Sequence, residues 1–90
     1  MLLEFYGREC GHCKNMESLV ARLENELGVK LERFETWHDQ ANEAKRAGYD
    51  TVGCGGVPFF MNTDTGAIIC GEVPYEDLHQ WATKGVPIQP

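Results

Sequence analysis

A chain of 90 residues is one domain, able to bury only a modest share of its surface. Its 42% hydrophobic and 24% charged residues argue against disorder. The formal charge of −6, with eight scattered Lys and Arg, disfavours nucleic acid and anionic membrane surfaces as partners.

Polypeptide or small-molecule partners fit that charge better. No apolar run reaches the roughly 18 residues needed to span a bilayer. Strand-like sequence begins at Met1 with no charged leader or cleavage site, so a cytoplasmic protein is expected. In a reducing compartment, four cysteines point to redox or metal chemistry before a static disulfide scaffold.

Met1 to Tyr6 (MLLEFY) reads as a short buried strand with one charge inside it, Glu4, and Gly7 ends it. From Cys10 the pattern turns helical, with Met16, Leu19, Val20, Leu23 and Leu27 on one face and Gly28 where a C-cap belongs. Val29 to Thr36 alternates apolar and polar side chains and reads as a second strand. A helical crossover makes these two strands parallel and the connection right-handed, so their C-terminal ends share one edge.

Asp39 to Ala47 is a shorter helical stretch with Asp39 as N-cap and Gly48 as stop. A Gly-rich loop, Tyr49 to Gly56, follows. Val57 to Met61 and Ala67 to Cys70 are apolar runs flanking a turn at Asn62 to Gly66, an antiparallel hairpin. Pro74 opens a last helix through Lys84, with Leu78, Trp81 and Ala82 as its buried face and Gly85 and Pro87 beyond it. The order βαβαββα specifies an α/β fold, a mixed four-stranded sheet with helices on both faces. The domain is expected over residues 1–85, with 86–90 a frayed tail.

The strongest chemical signal is Cys10-Gly11-His12-Cys13, directly after a strand and at the first turn of a helix. Residues three apart in a helical turn have Cα atoms roughly 5 to 5.5 Å apart, within the window for a disulfide. Cys10 faces unpaired N–H groups and the positive end of the helix dipole, which favours thiolate and lowers its pKa below the reference near 8.5. A protonated His12 lowers it further. Cys10 is therefore the expected nucleophile, Cys13, a turn deeper, the resolving thiol, and Gly11 the space for a substrate chain.

The segment LLEFYGRECGHCKNM resembles the active-site strand and helix of protein disulfide isomerase and thioredoxin domains, members of the thioredoxin superfamily. CGHC itself is similar to the isomerase version, and the chain's size is nearer to glutaredoxins. The resemblance extends to Val57-Pro58, similar to the superfamily's cis-proline loop facing the dithiol, and to the βαβαββα order. It implies a thiol–disulfide oxidoreductase in which Cys10 attacks, a mixed disulfide forms and Cys13 releases the product, with no organic cofactor or metal. Substrates would be protein or small-molecule disulfides, and the reductant a reductase or glutathione. The isomerase-like His12 would raise the potential toward roughly −180 mV.

The sequence also departs from the family pattern. Glu9, after Arg8, replaces the tryptophan that precedes the first cysteine, and the loop before Pro58 looks longer and carries Cys54. The Gly-Gly turn of glutaredoxins looks replaced by Cys70-Gly71.

The resemblance places a buried acid at Glu4, to exchange a proton with Cys13. Desolvation raises a carboxyl pKa and suits it to that task, whereas a neighbouring Arg33 pulls it down. At a sheet edge Glu4 would instead point to water. The resemblance implies a cis Pro58, leaving the backbone of Val57 to pair with an extended substrate strand. Trp37 follows the second strand at the dithiol edge and either supplies the missing apolar wall or packs a loop. If the hairpin pairs Met61 with Ile68, Cys70 falls opposite Phe59. Cys54 and Cys70 are then either a second redox pair or a core residue and an incidental loop thiol. A carrier of metal or an iron–sulfur cluster using Cys10 and other cysteines is the alternative function.

Overall fold

A computed structural model of the chain describes residues 1–84. The elements run β1 (Leu2–Tyr6), α1 (Gly11–Leu27), β2 (Glu32–Glu35), α2 (Gln40–Tyr49), β3 (Phe59–Asn62), β4 (Ile68–Cys70) and α3 (Tyr75–Thr83). The expected tail at 86–90, with Gly85 and Pro87, lies outside the described residues.

The sheet order is β2-β1-β3-β4, with β1 parallel to β2 and antiparallel to β3. This is the expected α/β sheet with helices on both faces. The apolar period of two along β1 splits the core. Leu3 and Phe5 join Phe59 and Ile68 on the face covered by Tyr49 of α2. Leu2 packs on the other face, against Met16, Val20 and Leu23 of α1 and Leu78 and Trp81 of α3. Because β1 is central, both ends of the chain's hydrophobic pattern close on it. Ala82, expected in the buried face of α3, is only partly buried.

Several boundaries differ from the sequence pattern, and three of the differences bear on the site. The second strand begins at Glu32, not Val29. Gly28 takes the left-handed C-cap with φ 64°, and the N–H groups of Val29 and Leu31 are engaged by the Glu24 carbonyl and Glu24 carboxylate, away from the ladder. Gly48 does not stop α2, which runs on to Tyr49, whose ring packs near Phe5 with centroids 6.2 Å apart. Asp39 is its N-cap, accepting the Asn42 N–H at 3.1 Å. The third strand begins at Phe59, leaving Val57 and Pro58 in the loop ahead of it. The hairpin register pairs Met61 with Ile68 and Phe59 with Cys70, as the pattern implied.

Candidate active site

Gly7 ends β1, and the Cys10 N–H returns to the Gly7 carbonyl at 3.0 Å, turning the chain into α1. Cys10 thus becomes the N-cap residue, with extended backbone at φ −76° and ψ 115°. Its sulfur takes the position a serine or aspartate oxygen takes at other helix starts, accepting the Cys13 N–H at 3.1 Å. Cys10 and Cys13 form a disulfide with Cα atoms 5.2 Å apart. Both are nearly buried, at 5% and 2% exposure, so Cys13 is only slightly the more shielded. Apart from its chain neighbours and the backbone of its own helix, no heavy atom lies within 4 Å of the point where a Gly11 Cβ would sit, so the space above that residue is open. His12 reaches outward, its Nδ1 2.8 Å from Glu72 Oε1, which also accepts from Asn15 at 3.2 Å. The hydrogen bonds from His12 and then Asn15 hold the Glu72 carboxyl below the usual carboxylate range.

Opposite the disulfide, the Val57–Pro58 bond is cis and the Val57 carbonyl oxygen lies 4.0 Å from Cys10 Sγ. The Gly71 N–H donates to the Pro58 carbonyl at 2.8 Å, fixing this segment to the end of β4. Between α1, Pro58 and the β4–α3 connection runs a groove of about 770 Å³ lined by His12, Leu19, Val57, Glu72 and Tyr75 among others.

Trp37 is 54% exposed and lies flat over Gly7, whose Cβ would sit 2.3 Å from the indole Cδ2. Only glycine fits beneath that ring. Beside it, His38 Nε2 is 2.7 and 2.9 Å from the two carboxylate oxygens of Glu9. Glu35 accepts the backbone N–H groups of Arg8, Trp37 and His38. The three side chains bring donor atoms within 4.8 Å of one another, a set a divalent cation accepts. Each donor is already engaged within the protein, and together they tie the turn before Cys10 to the end of β2. Sequence reasoning missed this tie, because it depends on parallel pairing of strands far apart in the chain.

Glu4 is fully buried on β1. Alternation puts it on the face covered by α1 and α3, the face toward which Cys13 is buried. Arg33, its partner in the ladder, donates from Nε to Glu4 Oε1 at 2.8 Å. Oε2 is buried with no hydrogen-bond partner among the described residues. Of the two competing effects, desolvation is the larger: burial pushes the Glu4 carboxyl up, and the Arg33 charge only partly offsets it. Arg33 itself spans to solvent, 3.9 Å from Glu17 and with its guanidinium 4.5 Å from the Tyr6 ring centroid.

Cys54 and Cys70 form a second disulfide, with Cα atoms 5.4 Å apart, on the opposite face of the sheet beside Phe59. Asp50 organises the loop that carries Cys54, accepting the N–H groups of Cys54 and Gly55, each at 2.8 Å. The Gly55 hydrogen bond leads the effects that hold the Asp50 carboxyl below its ordinary value. Arg46, 5% exposed on α2, donates to Asp50 at 3.1 Å and to both oxygens of Glu43 at 2.8 Å. This buried arginine was also missed, although Glu43, Arg46 and Asp50 stand at helical spacings of three and four.

A βαβαββα sheet with a CXXC disulfide opening its first helix defines a thiol–disulfide redox domain. The thioredoxin family model matches residues 1–84, and the chain belongs to the thioredoxin family. No significant match is found among curated proteins.

Proposed function

We propose that this domain is a protein-disulfide oxidoreductase that exchanges disulfides through Cys10 and Cys13. The carrying observation is the Cys13 N–H directed at Cys10 Sγ, at the end of a helix whose dipole favours negative charge. In the dithiol form these groups stabilise a Cys10 thiolate. It attacks a substrate disulfide, one substrate sulfur leaves as a thiol, and a mixed disulfide joins Cys10 to the other. Cys13 then attacks Cys10 Sγ, the mixed bond breaks, and the second substrate thiol leaves. Two electrons pass to the substrate and the protein disulfide closes.

Burial raises the proton affinity of the Glu4 carboxylate, and in its ionised form Glu4 takes the Cys13 proton as Cys13 attacks. The open space over Gly11, the Val57 carbonyl near Cys10 and the exposed Trp37 ring support an extended polypeptide as substrate, paired through its backbone beside Val57. A small disulfide can use the same groove. Electrons return from a reductase protein or glutathione.

The test is equilibration in glutathione buffers with thiol labelling of Cys10 and Cys13. One reversible two-electron transition near roughly −180 mV is expected, and a potential well below the roughly −270 mV of thioredoxin contradicts the reading.

Glu4→Gln separates the two chemical steps. Attack by Cys10 on a model disulfide should keep its rate, while release of the mixed disulfide slows about 100-fold near neutral pH, as read by stopped flow. The same variant carries a stability signature. Because the folded-state pKa of Glu4 is raised, its contribution is complete below the ordinary carboxyl value and is lost as pH rises through the raised one. Gln stays neutral, so urea unfolding should show the variant gaining on the wild type from acid to neutral pH.

A further inference from the structure

The second disulfide packs with the Phe5 and Phe59 cluster and does not itself line the groove, but residues close to it in the chain do. Val57 follows Cys54 by three residues and Gly71 follows Cys70 directly, and both line the groove. The bond between Cys54 and Cys70 therefore ties one wall, the cis-proline loop, to the other, the end of β4.

Each half of the pair is also held by something other than the bond. Cys54 is fixed through its N–H by Asp50, which Arg46 supports. Cys70 is fixed by the ladder to Phe59 and by the neighbouring Gly71 N–H on Pro58. Both sulfur-bearing residues are part-exposed, in contrast to the nearly buried Cys10 and Cys13. Two thiols kept in bonding range after reduction can close again.

We propose that Cys54–Cys70 is a second redox couple, opened and closed by a low-molecular-weight thiol–disulfide pair, that sets the shape of the groove beside Cys10. A thiolate attacks one sulfur, the Cys54–Cys70 bond breaks and a mixed disulfide forms. A second thiol releases it, so two small thiols become one disulfide while the protein gains two electrons and two protons. Closed, the pair pre-orders the Val57 backbone for substrate. Open, the loop keeps its Asp50 anchor and Pro58 keeps its hydrogen bond from Gly71, but the stretch between them loses its covalent tie to β4, and substrate binding must order it. The effect on substrate rests on the oxidoreductase reading, whereas the cycling of the couple does not.

The experiment has two arms. In the first, a Cys10→Ala, Cys13→Ala variant is equilibrated with reduced and oxidised dithiothreitol or glutathione, quenched, labelled with maleimide and weighed. Both labels should disappear together in one reversible two-electron transition while the far-UV circular dichroism stays unchanged. Sulfurs that react only in denaturant, or a reduction that unfolds the chain, overturn the couple. In the second arm, a Cys54→Ser, Cys70→Ser variant with its dithiol intact is assayed on a disulfide-bearing peptide. KM should rise at least about fivefold with kcat within about twofold, and an unchanged KM overturns the role in shaping the groove. Cycling in the first arm by a protein whose wild-type dithiol never turns over refutes the oxidoreductase reading and upholds the couple.

Discussion

Cys10→Ser should reduce disulfide exchange by more than about 10³-fold, to background, because a serine hydroxyl neither ionises usefully at neutral pH nor forms a disulfide with sulfur. Cys13→Ser should behave differently. Its Cys10 still attacks, but no thiol follows to release the substrate, so a mixed disulfide accumulates and is seen by mass spectrometry as a covalent adduct on Cys10. The attack rate in Cys13→Ser should rise with pH along the ionisation of Cys10, with a midpoint below the free-cysteine value near 8.5. The Cys13 backbone N–H that points at the sulfur survives this substitution, so the variant reads the helix terminus directly. A midpoint at the free-cysteine value would mean that the helix start does not activate the sulfur.

Trp81→Ala should destabilise the domain by about 3–5 kcal/mol, enough to remove much of the stability expected of a chain this short. Trp81 is fully buried, meets Phe60 edge-on with centroids 5.5 Å apart, and donates its indole N–H to the Ala67 carbonyl at 2.9 Å. Its own carbonyl accepts from the buried Asn62 side chain at 3.1 Å. One residue therefore joins α3 to β3 and to the residue that leads into β4. Truncation leaves a void against Phe60 and takes from the Ala67 carbonyl one of its two donors, the Asn62 N–H at 2.9 Å remaining, and urea unfolding followed by circular dichroism should show the midpoint falling steeply.

Much of this arrangement is legible in the chain itself. A strand ending in glycine, a CXXC and an amphipathic run together define the β1–α1 unit, because a short apolar run gives way to a 3.6-residue hydrophobic period after Cys10. The hairpin was legible from its two apolar runs and turn, and the register weighed for it, Met61 on Ile68 with Cys70 opposite Phe59, is the one observed. What remained hidden depends on side chains competing for backbone groups. Glu24 diverts the amides that would have begun the second strand at Val29, and Tyr49 holds α2 past Gly48 by packing near Phe5. The Glu9–His38 pair arises from parallel register, which no local window contains, whereas the Glu4–Arg33 neighbourhood was anticipated and is observed. The balance between burial and Arg33 at Glu4 is likewise a property of packing, since the sequence names both opposing effects and not their sizes.

The two outer strands have a consequence for how the molecule behaves in a crowded solution. β2 offers four residues, three of them charged, and β4 offers only three before Gly71 turns the chain away. Neither border presents the long, flat, apolar ribbon on which a neighbouring chain could add itself by main-chain hydrogen bonding. A domain with an open apolar groove is thereby guarded at its flanks against aggregating with its own kind.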